Sequence, residues 1–137
     1  MKKATIPLYA LLFALISCKN DDNNNTPSTV LEGNWKLVQI SGGITGNIEN
    51  FTPGSVLWNF DESETQVTVT NNAQSGSGGL PSGTYQYSEQ AEPGICNNFI
   101  YVAADEYNID MGCTTIANDS LTFNNGYADG QTYLFVR

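Results

Sequence analysis

The stretch that decides the fold is GNWKLVQIS, residues 33–41. Trp35 and Leu37 alternate with the polar residues Asn34 and Lys36, which is the period of a half-buried β-strand. Seven later segments repeat this pattern: residues 55–61, 65–71, 83–89, 98–104, 106–111, 119–125 and 131–137. Since no stretch after residue 30 keeps a helical period, the sequence predicts an all-β domain over residues 31–137.

The alternation also predicts which side chains share the interior. The apolar face is expected to hold Val56, Trp58, Phe60, Val67, Val69, Tyr85, Tyr87, Tyr107, Ile109, Met111, Leu121, Phe123, Tyr133 and Phe135. In 98–104 the phase is open, because either Phe99 and Tyr101 or Ile100 and Val102 can face inward. Phe99 and Tyr101 are assigned here to the same aromatic interior as the other rings.

The connections between these segments are short and rich in turn-forming residues, such as SGGITGN, DESE and NNGYADG. Short connections favour antiparallel neighbours, because a parallel crossover needs a dozen or more residues. The sequence therefore predicts an eight-stranded antiparallel up-and-down barrel, in which closure removes exposed strand edges. A two-sheet β-sandwich is the alternative.

The N-terminus has the order of an export signal. Lys2 and Lys3 precede an apolar run too short to cross a bilayer as a helix. The run ends in Leu15-Ile16-Ser17-Cys18, which resembles the bacterial lipobox, and this resemblance implies that Cys18 is lipidated and becomes the mature N-terminus. Residues 1–17 are then a lipoprotein signal peptide. Residues 18–30 are the lipidated cysteine and a tether without apolar periodicity, which we expect to be disordered.

The residues that follow Cys18 also bear on location. CKNDD is similar to the export signal of Bacteroidetes lipoproteins, which implies an outer-membrane lipoprotein on the cell surface rather than on the periplasmic face. Several acyl chains are needed for a stable anchor, since one chain holds only marginally.

Charge and cysteine content narrow the function classes. Removal of Lys2 and Lys3 takes two positive charges from a net charge of −9 and leaves −11. A chain this acidic is not expected to bind nucleic acid. Separately, the protein is expected to be a monomer. With Cys18 lipidated, Cys96 and Cys113 are expected to form a disulfide, the alternative being two ligands of a metal site. The chain has no histidine, so no metal site or cofactor is predicted.

Two acidic segments remain as weaker candidates. Asp61, Glu62 and Glu64 sit in a predicted hairpin turn, where carboxylate oxygens suit calcium. A solvated hairpin tip is the other interpretation. The same two interpretations apply to the second segment, Asp105, Glu106 and Asp110. No serine or cysteine nucleophile has a histidine base, so the protein is predicted not to be an enzyme.

Gly33-Asn34-Trp35 matches the G-x-W motif of the lipocalin and fatty-acid-binding superfamily. LEGNWKLVQISGG, GLPSGTYQYS and DGQTYLFVR resemble the lipocalin-like domain of Bacteroidetes lipoproteins over residues 31–137. The resemblance implies that Gly33 and Trp35 lie at a closed barrel end, where Arg137 packs across the indole ring. A helical lid and an interior arginine for a fatty carboxylate are both missing from the sequence pattern. The META domain of envelope proteins is a fainter likeness.

The interior predicted above is rich in tyrosine, and a buried hydroxyl needs a hydrogen-bond partner. The residues expected to line a ligand site are Trp58, Tyr85, Tyr87, Tyr107 and Tyr133. The ligand would be a small hydrophobic or phenolic molecule. The alternative is a barrel packed by its own rings that serves as an envelope structural or protein-interaction module.

Overall fold

The computed structural model describes residues 30–74, 78–105 and 107–137, with the backbone alone at Tyr107 and Ala128. The signal peptide, Cys18 and the tether up to residue 29 lie outside the described residues. Within the described ranges, no helix is long and apolar enough to cross a membrane.

The described residues form nine strands. They are β1 (Gly33–Gly42), β2 (Asn47–Asn50), β3 (Val56–Asp61), β4 (Gln66–Asn71), β5 (Gly83–Glu92), β6 (Cys96–Ala104), β7 (Tyr107–Ala117), β8 (Ser120–Asn124) and β9 (Gln131–Val136). A short 3₁₀ helix over Gly126–Ala128 precedes β9.

The sheet closes into a barrel. From β3 to β9 each strand pairs antiparallel with the next, and β1 pairs with both β3 and β9. The eight strands β1 and β3–β9 therefore form a closed antiparallel barrel, and the up-and-down prediction is confirmed. The sandwich alternative is wrong, because Leu37 of the first strand pairs directly with Phe135 of the last.

Two elements differ from the sequence prediction. β2 lies where only a turn was expected, and it pairs with the second half of β1 through Gln39–Gly42. All four of its side chains are exposed, so it has no apolar alternation to reveal it. β7 continues past Met111 to Ala117, because a register shift beside Gly112, whose φ is +105°, carries the strand onward.

The interior is a single apolar core. Trp35, Trp58, Phe60, Phe123 and Phe135 are fully buried in it. Rings of neighbouring strands touch there, with 5.2 Å between the centroids of Trp58 and Phe135 and 6.0 Å between those of Phe60 and Phe123. The middle of the barrel is thus filled by its own side chains.

The inward assignment of Phe99 and Tyr101 is wrong. Ile100, Val102 and Ala104 are the β6 residues that belong to the core cluster. Phe99 and Tyr101 instead stack on the outer face, with 4.6 Å between ring centroids. Because β6 is apolar on both faces, its sequence could not fix the phase.

Outside the barrel wall, β6 is joined to β7 covalently. Cys96 and Cys113 form a disulfide with Cα atoms 6.0 Å apart, as the sequence predicted. The bond closes 17 residues of chain. Next to it, Phe99 is covered by the rings of Tyr101 and Tyr127.

Candidate functional site

The two ends of the barrel are built differently. We call the end where β1 begins and β9 ends the floor, and the opposite end, where β1 ends and β9 begins, the mouth. At the floor, the Trp35 Nε1–H donates to the Leu31 carbonyl oxygen at 2.7 Å. The Arg137 guanidinium carbon lies 4.3 Å from the Trp35 ring centroid. The same guanidinium donates to the carbonyl oxygens of Val30 and Glu32, at 2.9 and 3.2 Å.

A reciprocal pair of carboxylates closes the floor. Glu62 Oε1 accepts from the backbone N–H groups of Leu31 and Glu32, at 2.8 and 3.1 Å. In return Glu32 Oε2 accepts from the Glu62 N–H at 2.6 Å. These carboxylates hold the chain that enters β1 against the turn between β3 and β4.

The acidic turn between β3 and β4 also forms hydrogen bonds within itself. Asp61 Oδ1 accepts from the Ser63 hydroxyl at 2.6 Å and from the Glu64 N–H at 3.1 Å. These hydrogen bonds, that from Ser63 first, lower the pKa of Asp61. Nowhere in residues 30–74, 78–105 and 107–137 do three acidic or cysteine side chains gather closely enough to hold a metal ion. The hairpin-tip interpretation therefore accounts for this turn.

The mouth holds a cavity of about 350 Å³. It is lined by Trp58, Gly79, Leu80, Pro81, Ile109, Met111, Gln131 and Tyr133. Two of these, Trp58 and Met111, are core side chains, so the cavity reaches down to the packed interior. Two larger grooves of about 420 Å³ are lined mainly by polar residues of the β1–β2 hairpin and of residues 49–55 and 72–74. Unlike these two grooves, the mouth cavity combines an apolar wall with the core ring of Trp58.

Trp58 lies at the cavity with its polar atom unused. It is the register partner of Trp35, so the two indoles belong to neighbouring strands at the same level. Both are fully buried. The Trp58 Nε1–H, however, has no hydrogen-bond partner among the described residues. An unpaired buried donor costs about 1–3 kcal/mol, so this atom is a costly feature of the fold.

Tyr133 forms part of the cavity rim. Its hydroxyl donates to Gln131 Oε1 at 2.9 Å, which leaves the Gln131 amide nitrogen as a further donor at the rim. Burial raises the pKa of Tyr133, so the phenol is neutral at physiological pH. A Cβ atom at Gly79 would lie 3.1 Å from the Tyr133 ring, so a glycine lets the loop before β5 approach this ring.

That loop covers the cavity from above. Leu80 is 5% exposed and points its apolar bulk into the barrel mouth. The Asn71 side-chain amide donates to the Leu80 carbonyl oxygen at 2.9 Å, and the Tyr85 hydroxyl donates to the Pro81 carbonyl oxygen at 3.0 Å. Side chains of β4 and β5 therefore fix residues 80–81 in place.

The predicted lining divides into groups. Trp58 and Tyr133 line the cavity, while Tyr85 supports the loop above it. Tyr87 packs edge-on against Phe60 at 5.4 Å, and burial, followed by the charge of Glu62, raises its pKa. The side chain of Tyr107 lies outside the described residues.

Sequence reasoning missed part of the site. Leu80 and Gln131 were not expected to line it, since one lies in a loop and the other begins a strand. Ile109 and Met111 were assigned to the interior, but nothing in their pattern separated lining from packing. The sequence offered one signal, the leucine in the loop segment GGLP, residues 78–81. A single leucine among glycines and proline is expected to bury its side chain against the domain.

Comparisons of the chain with protein-family models, with curated proteins and with solved structures gave no match. The site is therefore interpreted from its own geometry.

Proposed function

We propose that this protein is a membrane-tethered, lipocalin-like binding lipoprotein that takes a small, partly apolar molecule at the barrel mouth. One observation carries the proposal: a cavity of about 350 Å³ is lined by the core ring of Trp58, whose buried indole N–H has no partner among the described residues. Small-molecule sites are typically concave, of about 300–1,000 Å³, and mostly apolar with few polar groups.

The contacts at the floor are consistent with a binding site at the mouth. Trp35 and Arg137 occupy the arrangement that the lipocalin resemblance implies for a closed end. In this proposal the floor stabilises the barrel and the mouth binds. The protein acts as a carrier or receptor and not as an enzyme.

The proposed anchor fits the placement of the mouth. Val30, where the tether joins the domain, is held at the floor by Arg137. A lipid on Cys18 would therefore attach the domain through its floor end, which leaves the mouth at the end opposite the attachment point.

Native mass spectrometry of the exported, gently purified full chain tests the binding function. Extra mass that leaves on denaturation supports it, and the identity of that mass gives the ligand class. A bare protein from several growth conditions, together with no thermal shift across a panel of lipids and phenols, contradicts it. Intact mass also tests the anchor, because Cys18→Ala must lose the acyl mass and the membrane association.

A second function has its own observation. The rings of Trp58, Phe60, Phe123 and Phe135 already fill the middle of the barrel. A fully packed barrel would suit an envelope structural or protein-interaction module. Crosslinking in cells that recovers one defined protein neighbour, with no ligand mass on the purified chain, would favour it.

A further inference from the structure

The residues that line the mouth cavity indicate the chemical class of its ligand. We infer that the ligand is an uncharged molecule that offers a hydrogen-bond acceptor, such as a ketone, ester or amide oxygen, to the Trp58 Nε1–H. This inference rests on the proposed function, since it names the ligand class for the same cavity.

The donor supplies the first step. Trp58 is fully buried, lines the cavity, and its Nε1–H has no partner in the part of the chain that the structure describes. The other buried indole finds its acceptor within the protein: the Nε1–H of Trp35, the register partner of Trp58, donates to the Leu31 carbonyl oxygen. An acceptor that arrives with a ligand would complete the Trp58 site in the same way.

The charge of the lining supplies the second step. The lining residues that the structure describes include no charged side chain. From residue 30 onward the sequence has only two cations, Lys36 and Arg137, and both lie on the floor half of the barrel. A carboxylate would thus lose its hydration without gaining a counter-ion, and burial of an unpaired charge is heavily penalised. A neutral acceptor avoids that penalty.

The apolar wall supplies the third step. Ile109, Met111 and Leu80 offer the ligand body a hydrophobic surface, while the Gln131 amide stands at the rim. The Trp58 indole exposes no area to solvent, and Leu80, which is 5% exposed, lines the same cavity, so the side chains of this lining must rearrange to admit the acceptor. Leu80 is the buried lining residue that belongs to a loop instead of a strand.

The test uses three probes that share a benzene ring: acetophenone, ethylbenzene and benzoate. The chain has only two tryptophans, so its ¹⁵N spectrum shows two indole N–H signals. The Trp58 signal is assigned through its contact with Phe135, whose ring centroid lies 5.2 Å away. The probes are titrated into the labelled, exported full chain, and the Trp35 signal serves as the internal control.

We expect acetophenone to bind about tenfold more tightly than ethylbenzene, which is the worth of one added hydrogen bond to a buried donor. Acetophenone should move the Trp58 indole signal downfield and leave the Trp35 signal in place. Benzoate should not bind. In Trp58→Phe, which keeps a ring and removes the donor, the preference for acetophenone over ethylbenzene should vanish. The wild-type titration decides the matter even where this variant does not fold.

Three results would overturn the inference. Equal binding of acetophenone and ethylbenzene without an indole shift would mean that the cavity selects by apolar area alone, and the proposed binding function would stand. Preference for benzoate would refute the uncharged class. Binding of none of the three would refute the inference, and a bare protein in native mass spectrometry would then refute the binding function as well.

Discussion

Trp35 and Trp58 are register partners on neighbouring strands, and both are fully buried. At the floor, the Trp35 indole donates to a backbone carbonyl and is covered by a guanidinium. Towards the mouth, the Trp58 indole has the same burial but no partner among the described residues. The same residue type therefore has its polar atom satisfied on β1 and unsatisfied on β3. A buried N–H with a hydrogen-bond partner stabilises the fold, whereas a buried N–H without one can form a hydrogen bond with a ligand.

The disulfide between β6 and β7 on the outside of the barrel gives the largest expected effect. Cys96→Ser with Cys113→Ser should lower the free energy of unfolding by about 3 kcal/mol, since the bond closes a loop of 17 residues. Urea unfolding of the oxidised chain and of the double variant measures the difference. The mouth should be unaffected, so the chemical shift of the Trp58 indole should stay unchanged in the folded variant. A loss below 1 kcal/mol would contradict the stabilising role.

Paired tryptophan variants test the comparison most directly. Trp35→Phe should cost about 3 kcal/mol, because ring volume, one hydrogen bond and one cation–π contact are lost together. Trp58→Phe should cost only about 1–2 kcal/mol, because the donor that it removes is already unpaired. Urea unfolding of both variants under one condition gives the two values. Equal costs would mean that the Trp58 donor is satisfied in solution.

A smaller effect is expected at the cover of the mouth. Leu80→Ala should lower the free energy of unfolding by about 2 kcal/mol, because it removes a buried side chain beside an existing cavity. It should also speed hydrogen exchange of the Trp58 indole N–H while the Trp35 indole stays protected.

Ile44→Ala is the matched control for Leu80→Ala. Ile44 lies in the β1–β2 turn and is 91% exposed, so its truncation should change neither stability nor exchange. If both variants behave alike, Leu80 does not cover the site.

The smallest effect concerns pH. A hydrogen bond to Glu92 at 2.6 Å, together with burial, raises the pKa of Tyr101 to about 12. A tyrosine in the unfolded chain ionises near 10, so stability from this contact is full below pH 10 and falls as the pH rises towards 12. Because burial also raises the pKa of Tyr87 and of Tyr133, absorbance titration should show more than one late phenol. Tyr101→Phe should remove the phenol that titrates at about pH 12 and leave the others. A phenol that still titrates at about pH 12 in the variant would assign that pKa to another tyrosine.

The sequence predicts strands where alternation is clean and fails where it is not. β3 and β4 alternate strictly, and their inward faces are as expected. β6 has apolar residues on both faces, because Phe99 packs outside against Tyr101 and Tyr127. β2 has no apolar face at all, and it exists because β1 extends beyond its pairing with β3, which leaves the edge at Gln39–Gly42 for Asn47–Asn50 to pair with.

The candidate site was harder to predict than the fold. Alternation told which side of the sheet Trp58 and Tyr133 face, but not how far along the barrel each ring lies. Tyr85 and Tyr87 share a strand face, yet one supports the mouth loop and the other packs against Phe60. Level along the barrel depends on the register between strands, which a single sequence does not contain.

The pairing of β1 with β9 also governs the time the chain needs to fold. Arg137 donates to a carbonyl 107 residues away along the chain, so the floor forms only when the two ends of the domain meet. For contacts of such long range, the chain loses loop-closure entropy before the contacts stabilise it. Barrels of this kind therefore fold in milliseconds to seconds. The hairpins from β3 to β8 need no such search and can form first. The seam between β1 and β9 is therefore the last part of the barrel to assemble, and the fluorescence of Trp35 on β1 should report the slowest folding step.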